Sequence, residues 1–295
     1  MGLIPATEKT ALRIAASLDA NGGGQTSGTD ADRLFPATEK TLLRIADRVD
    51  EISGGGALAD NAGAHNGIYR GKYLGAEVTQ AQYAAIDAGT FEDLYIGDYW
   101  TINNVNWRIA AFDYWLNTGD TGKECTTHHV VIVPDTCLYN AAMNNSDTTS
   151  GAYVGSKMYT TNLAQAKTIV NNAFGSAHVL NHREFLPNAV TNGYTSGSAW
   201  CNSSVDLMNE QMVYGCRAFS NVINGTAIPH VHTINKGQLP LFALAPSFIC
   251  NRANWWLRDV VSASHFALVA GDGICDAINP SNYRIDVRPA FGICA

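Results

Sequence analysis

The chain has 295 residues, of which 46% are apolar and 15% charged, and a formal net charge of −7. That composition supplies a buried core and leaves the surface to neutral polar side chains such as Asn, Thr, Ser and Gly. Nineteen basic against 26 acidic residues, with no basic run, argue against a nucleic-acid partner, because phosphate binding needs clustered Lys and Arg.

The start, Met1 to Glu8, has no basic region followed by an apolar core, so no secretory signal is expected. An internal repeat follows. Leu3-Ile4-Pro5-Ala6-Thr7-Glu8-Lys9-Thr10 recurs 31 residues later as Leu34-Phe35-Pro36-Ala37-Thr38-Glu39-Lys40-Thr41. Pro5 and Pro36 sit where a helix can begin, and Glu8 and Glu39 favour the positive end of its dipole. Apolar positions 11, 14, 15 and 18 match 42, 45, 46 and 49, which predicts a short amphipathic helix in each copy. Gly22-Gly23-Gly24 and Gly54-Gly55-Gly56 end the copies as linkers. Residues 1–56 thus read as a repeated pair of helices for anchoring or oligomerisation, or for packing on the chain's own globular part.

Residues 57–93 read as transitional, with one helix expected over Ala76 to Ala88. From Tyr95 the pattern turns strand-like. Tyr95 to Ile102 and Val105 to Phe112 flank Asn103-Asn104, a hairpin signal. His129 to Pro134 predicts a buried strand and Asn162 to Phe174 a helix ending at Gly175. Val205 to Tyr214 is compatible with a short helix or a strand. Short strands, few helices and long polar loops predict an α+β domain over 94–295.

No C-x-x-C spacing occurs among Cys125, Cys137, Cys201, Cys216, Cys250, Cys275 and Cys294, so zinc ribbons are not indicated. Most are expected as buried thiols, with one or two disulfides as the alternative. His128-His129 and His230-Val231-His232 have ligand-like spacing, but no third ligand lies close in sequence. They read as polar loop or core histidines, and no metal or cofactor is expected. His182-Arg183-Glu184 reads as a structural ion-pair cluster, with Glu184 holding a buried Arg258 or Arg288. No apolar run reaches 18 residues, so no membrane insertion is expected.

Near the C-terminus, Asn254-Trp255-Trp256-Leu257-Arg258 opens a segment that Val287-Arg288-Pro289-Ala290-Phe291 closes. The apolar flanks predict strands. Asp259 to Asp286 between them is polar, Gly-containing and without clear period, which predicts loops borne on a rigid frame. The frame of Trp255, Trp256, Arg258, Arg288 and Phe291 is the expected scaffold, with Phe266, Val269 and Val287 pointing inward.

This closing frame, with Val261 to Val269 inside it, resembles a family of gut-bacterial phage and prophage proteins and, more widely, the variable proteins of diversity-generating retroelements. Ile96 to Thr101, His128 to Thr136, His182 to Leu186 and Glu210 to Gly215 extend the likeness over roughly residues 94 to 293. Asp286 departs from it, since the family usually has Gly there. The resemblance implies a C-type-lectin-like fold, related in architecture to the formylglycine-generating enzymes, with a variable region at about 254–286. In such systems Asn codons become NNY codons, which cannot encode Lys, Glu, Gln, Met or Trp; Asp259 to Asp286 contains none of these five.

Residues not serving the frame are the expected ligand-binding, variable positions: Asn254, Asp259, His265, Leu268, Ala270, Asp272, Ile274, Asp276, Ala277, Asn279, Asn282, Tyr283 and Arg284. Binding energy is expected to concentrate in Tyr283, Arg284 and His265, because aromatic and Arg side chains dominate hot spots. The implied role is a receptor-binding protein of a phage tail, made in the bacterial cytoplasm, without enzyme activity. Its implied partners are a host cell-surface protein or glycan, other virion proteins through the N-terminal helices, and further copies of itself in a homotrimer. A virion structural or decoration protein and a formylglycine-generating-type oxidase are the alternatives.

Overall fold

The computed structural model describes residues 59–220 and 237–295. The repeated segment of residues 1–56 and the His230/His232 pair lie outside them, except that the chain divides into one unit ending at Ala59 and another running from Asp60 to Ala295. Only the second is described below. It is α+β: thirteen strands, most of them in two sheets, with a few short helices among the described residues.

The unit begins earlier than residue 94, because residues 60–93 belong to it. Helix α1 (Ala62–His65) is capped by Asn61, and strand β1 (Tyr73–Gly75) pairs in parallel with β2 (Tyr99–Ile102). The glycines of this stretch hid these elements from the sequence pattern. What fixes them is the Asp98 carboxylate, which is fully buried. It accepts from Arg70 Nη2 at 2.6 Å, from the Lys72 amide at 2.8 Å and from the Tyr95 amide at 2.9 Å. Helix α2 (Gln80–Asp87) starts at a reciprocal Thr79/Gln82 capping box, which satisfies two otherwise orphaned amides.

The first sheet has six strands in the order β1-β2-β3-β4-β13-β8. The hairpin of β2 and β3 (Val105–Phe112) turns on Asn103 and Asn104, with φ of 52° and 62°. Asn tolerates the left-handed region that this tight turn requires. Strand β4 (Val130–Pro134) is buried throughout between β3 and β13 (Pro289–Ile293). Helix α3 (Leu163–Phe174) follows a π turn at Met158–Asn162 and stops at Gly175, whose φ is 83°. Its stripe of Leu163, Ala166, Val170 and Phe174 is buried. Three rings lock it to the sheet: Trp107–Phe174 at 5.6 Å, Trp107–Phe291 at 5.6 Å and Phe174–Phe291 at 5.4 Å, all edge-to-face.

Strands β6 (His182–Thr191) and β7 (Tyr194–Ser203) form a separate long hairpin, turning on Asn192 and Gly193. Strand β8 (Val205–Leu207) then leads into Asn209, which caps helix α4 (Glu210–Tyr214). The segment from 205 to 214 is therefore strand and helix in succession. Helix α5 spans Pro240–Leu244.

The second sheet has the order β11-β10-β9-β12-β5 and contains the C-terminal segment. Strand β5 is Tyr139–Asn140 and β12 is Asp286–Val287. Strands β9 (Trp255–Ser262), β10 (His265–Val269) and β11 (Cys275–Ile278) form an antiparallel meander. Much of the stretch expected as loops is thus sheet. Strand β9 is buried from Trp255 to Val260 and β10 from Phe266 to Val269, so they show apolar runs instead of alternation.

Phe174→Ala would remove the ring that joins helix to sheet. We expect a loss of about 3–5 kcal/mol, measured by denaturant unfolding; a change within error would show that α3 is not held by this contact.

Candidate ligand-binding surface

The frame comes first. Trp255, Trp256, Arg288 and Phe291 are fully buried and Arg258 is nearly so. Trp256 Nε1 donates to the Ala141 carbonyl at 2.8 Å. Arg258 pairs with Glu184 of β6, and Trp115 Nε1 donates to the other Glu184 oxygen at 2.6 Å. Burial pushes the Glu184 carboxyl up, but the Arg258 charge and His182 outweigh it and hold it down at about 2.

Of the two arginines proposed for Glu184, the structure selects Arg258. Arg288 lies where the chain leaves β12 for β13, passing from one sheet to the other. Its Nε and Nη1 donate to the carbonyls of Pro134 and Phe248 at 2.9 and 2.8 Å. Its guanidinium lies 5.0 Å from the Trp255 ring and 5.6 Å from that of Phe242. Burial lowers its pKa to about 10. Phe266, Val269 and Val287 point inward, as read from sequence.

Two expected surface positions are corrected. Leu268 is 2% exposed and sits on β10 between Trp256 of β9 and Asp276 of β11. Asp259 is 7% exposed, and its Oδ2 accepts from the Glu210 amide at 2.7 Å. Neither can meet a ligand, because β9 from Trp255 to Val260 and β10 from Phe266 to Val269 are covered on both faces.

The remaining candidates fall into two groups joined by β11, an edge strand of the sheet. The first group is the β10–β11 turn. Ala270 N donates to Ile274 O at 2.8 Å, and Asp272 Oδ1 accepts from the Ile274 amide at 3.1 Å. The side chain of Asn254 reaches this turn, accepting from the Gly271 amide at 2.8 Å. Tyr214 Oη donates to Gly273 O at 3.0 Å, a fastening that sequence reasoning missed. Asn254, Asp272 and Ile274 are exposed, Ile274 to 63%, and Ala270 is half-buried.

The second group is the 279–284 loop. Asn282 Oδ1 accepts from the Arg284 amide at 2.9 Å, and the Arg284 guanidinium lies 5.8 Å from the Tyr283 ring. Tyr283, at 64%, and Arg284 are exposed, whereas Asn279 and Asn282 are half-buried. The loop rests on 144–147: Asn144 N donates to Pro280 O at 2.9 Å and Ser281 Oγ to Asp147 Oδ1 at 2.6 Å. Those Ser281 contacts, with help from Asn279 and the nearby His265, hold the Asp147 carboxyl below its usual range. Asp147 thus links this loop to half-buried His265, although nothing in its local sequence marked it. Between the groups, Asp276 of β11 is exposed and Ala277 half-buried.

The metal and thiol candidates are accounted for by structure. His128 Nδ1 lies 2.7 Å from Asp113, and His129 Nε2 accepts from the Trp115 amide at 3.0 Å. Among the described residues no group of three or more His, Cys, Asp or Glu is placed to hold a metal ion. All seven cysteines are unbridged; Cys125, Cys275 and Cys294 are buried, and Cys216 and Cys250 exposed. Burial and the neighbouring Glu210 push the Cys275 thiol far up. No described helix is long and apolar enough to cross a membrane. Comparison with protein-family models, curated proteins and solved structures finds no match to the chain.

Two stability tests follow from the frame. Arg258→Met leaves Glu184 as a buried, uncompensated charge, and we expect a loss of about 3–5 kcal/mol in urea unfolding; an unchanged midpoint would refute the pair's role. Asp259 gives the opposite pH sign to a paired carboxylate. Burial and Glu210 raise its pKa from 3.8 to about 7. Its contribution is therefore complete below the unfolded value and drains away as pH rises through 7. Asp259→Asn should match the native chain near pH 4 and exceed it in melting temperature at pH 8. An equal difference at both pH values would show that Asp259 is not the titrating group.

Proposed function

We propose that the chain is a phage or prophage display protein whose C-terminal surface binds a ligand on the host cell. In this reading, the unit from Asp60 to Ala295 is a C-type-lectin-like domain, and a diversity-generating retroelement varies the surface positions. One observation carries the proposal. The frame residues Trp255, Trp256, Arg258, Arg288 and Phe291 are all buried, while every candidate position except Asp259 and Leu268 reaches solvent. A packed frame bearing exposed turns lets side chains change with little cost to the fold.

The exposed set suits recognition. Tyr283 and Ile274 offer large apolar area, flanked by the charges of Arg284, Asp272 and Asp276. Tyr and Arg are among the side chains enriched at binding hot spots. The repeated segment of residues 1–56 is assigned to docking on other virion proteins, and several copies per particle, in a trimer, would add avidity to modest single-site affinity. The chain is proposed to work as a virion component without catalysis. A reactive thiol needs a lowered pKa, and that of Cys275 is raised.

The test is a particle carrying Tyr283→Ala together with Arg284→Ala. Adsorption to host cells should fall at least about tenfold while particle assembly and thermal stability persist. Loss of assembly with adsorption per particle intact would instead support a structural or decoration role. Sequencing of the neighbouring DNA offers an independent check: a near-copy of the codons for residues 254–291 beside a reverse transcriptase gene is expected.

A further inference from the structure

The first sheet carries a row of rings on the face turned away from its core side chains. Strand β2 alternates: Trp100 and Ile102 are buried, while Tyr99 and Thr101 are half-buried on the opposite face. Register places Tyr73 of β1 and Arg108 of β3 beside Tyr99. The Tyr73 and Tyr99 rings are 5.6 Å apart. The Arg108 guanidinium lies 4.6 Å from the Tyr99 ring and 4.3 Å from that of Phe248, and Phe248 lies 6.4 Å from Tyr69. Tyr69 is seated against Gly97, where any Cβ would fall 2.2 Å from its ring.

The row is open at both ends, with Tyr73 53% and Tyr69 43% exposed. From Tyr73 to Arg108 it crosses two inter-strand spacings of ~4.8 Å, and Phe248 and Tyr69 lengthen it. It therefore suits a chain-like ligand better than one small ring.

The groups around the row decide the ligand's chemistry. All three guanidinium nitrogens of Arg108 are engaged, Nε and Nη2 by Asp135 and Nη1 by the Gly97 carbonyl. Arg70 is spent on Asp93 and Asp98, and Lys72 Nζ on Asp93 at 2.8 Å. Arg70, Lys72 and Arg108 are thus matched by Asp93, Asp98 and Asp135, and a charged ligand would have to break one of these pairs. A protein hot spot of this composition would use the arginine, but Arg108 has no nitrogen left to donate. What stays free is neutral. Among the described residues the hydroxyls of Tyr69, Tyr73 and Tyr99 make no hydrogen bond. On the same face the side chains of Thr101 and Asn106 bond to each other at 2.8 Å. Ring faces bordered by free hydroxyls match a sugar, whose C–H face is apolar and whose rim is hydroxylated.

The row also adjoins the candidate surface. Cys250, two residues after Phe248, packs on the β10–β11 turn: a Cβ built on Gly273 would lie 3.2 Å from that of Cys250. Arg252 N donates to Gly271 O of the same turn at 3.0 Å. None of the five residues of the row lies within 254–286.

We propose that the host ligand is an extended neutral glycan whose sugar rings stack on Tyr73, Tyr99, Phe248 and Tyr69 while its continuation meets the β10–β11 turn. This rests on the receptor-binding reading and names its ligand class. The row gives a constant grip on sugar rings, and the exposed turn selects among glycans.

Saturation-transfer NMR on the full chain tests it, with cellohexaose, maltohexaose and mannohexaose, their monosaccharides, and hexameric galacturonate as the acidic probe. A neutral hexasaccharide should bind at least about tenfold tighter than its monosaccharide. Tyr73→Ala and Tyr69→Ala should each weaken it at least about tenfold; the first, at the more exposed ring, should keep the native melting temperature and serves if the second does not fold. On particles, Tyr73→Ala should lower adsorption to host cells, and periodate treatment of the cells should abolish adsorption where protease does not. No neutral hexasaccharide signal at millimolar concentration, preference for galacturonate, or native binding by the Tyr73→Ala chain would each overturn the proposal. Adsorption that protease removes and periodate spares would overturn it in favour of a protein receptor. The two readings fail separately. Normal adsorption by Tyr73→Ala particles, with adsorption lost in Tyr283→Ala and Arg284→Ala particles, removes the glycan row and keeps the receptor surface. The reverse pattern, with hexasaccharide binding lost in Tyr73→Ala, keeps the row and removes the 279–284 loop from recognition.

Discussion

The ion pair between Arg258 and Glu184 is the contact on which the rest of the C-terminal architecture depends. It ties β9, the central strand of the second sheet, to β6, the first strand of the long hairpin. Two buried charges repay their desolvation only when geometry and further hydrogen bonds are good. Here Trp115 Nε1 supplies the further bond, and burial of Trp255 and Trp256 on either side of the strand keeps water out. The result is a strand that cannot slide by one residue, because a shift would expose Arg258 or bury it unpaired.

That constraint explains why the exposed side chains of this segment sit where they do. A fixed β9 fixes β10 by register, and β10 fixes β11, so tolerance appears only at the edge of the sheet and in its turns. Glu184 also reaches beyond the frame. One oxygen faces Arg258, and the other lies 3.7 Å from Nε2 of the buried His182.

Features marked by local chemistry were legible in the sequence. Asn103-Asn104 announced its hairpin, Gly175 the end of α3, and the two-tryptophan and arginine-proline flanks the buried frame. Features set by tertiary burial were not. Asp259 and Leu268 look like loop residues because the strands around them are covered on both faces, and such strands lose the period-two signal. The pairing of Glu184 was legible as a need for an arginine, but choosing Arg258 over Arg288 required the two strands to be placed. The β6–β7 hairpin went unread although Asn192-Gly193 is a strong turn signal, because the face that β6 buries carries His182 and Glu184 beside Leu186 and so lacks an apolar alternation. Asp147 and Tyr214 support the surface from distant positions, and nothing near them in sequence says so.

The candidates that reach solvent are not equivalent. Asn254, Asp272 and Asn282 use their side chains to accept backbone amides at Gly271, Ile274 and Arg284. Those amides close the turns that present everything else, so replacing an acceptor there moves the turn as well as the surface. The side chains of Ile274, Tyr283 and Arg284 bear no such duty in the turns. Their mutual position is set instead by fastenings from outside the segment, Tyr214 on one turn and Asn144 with Asp147 on the other. A surface built this way separates two roles: short polar residues hold the backbone, and large exposed ones are left to meet whatever binds. Substitutions at positions 274, 283 and 284 can then alter the surface without a matching change in stability, and they leave the Arg258–Glu184 lock untouched.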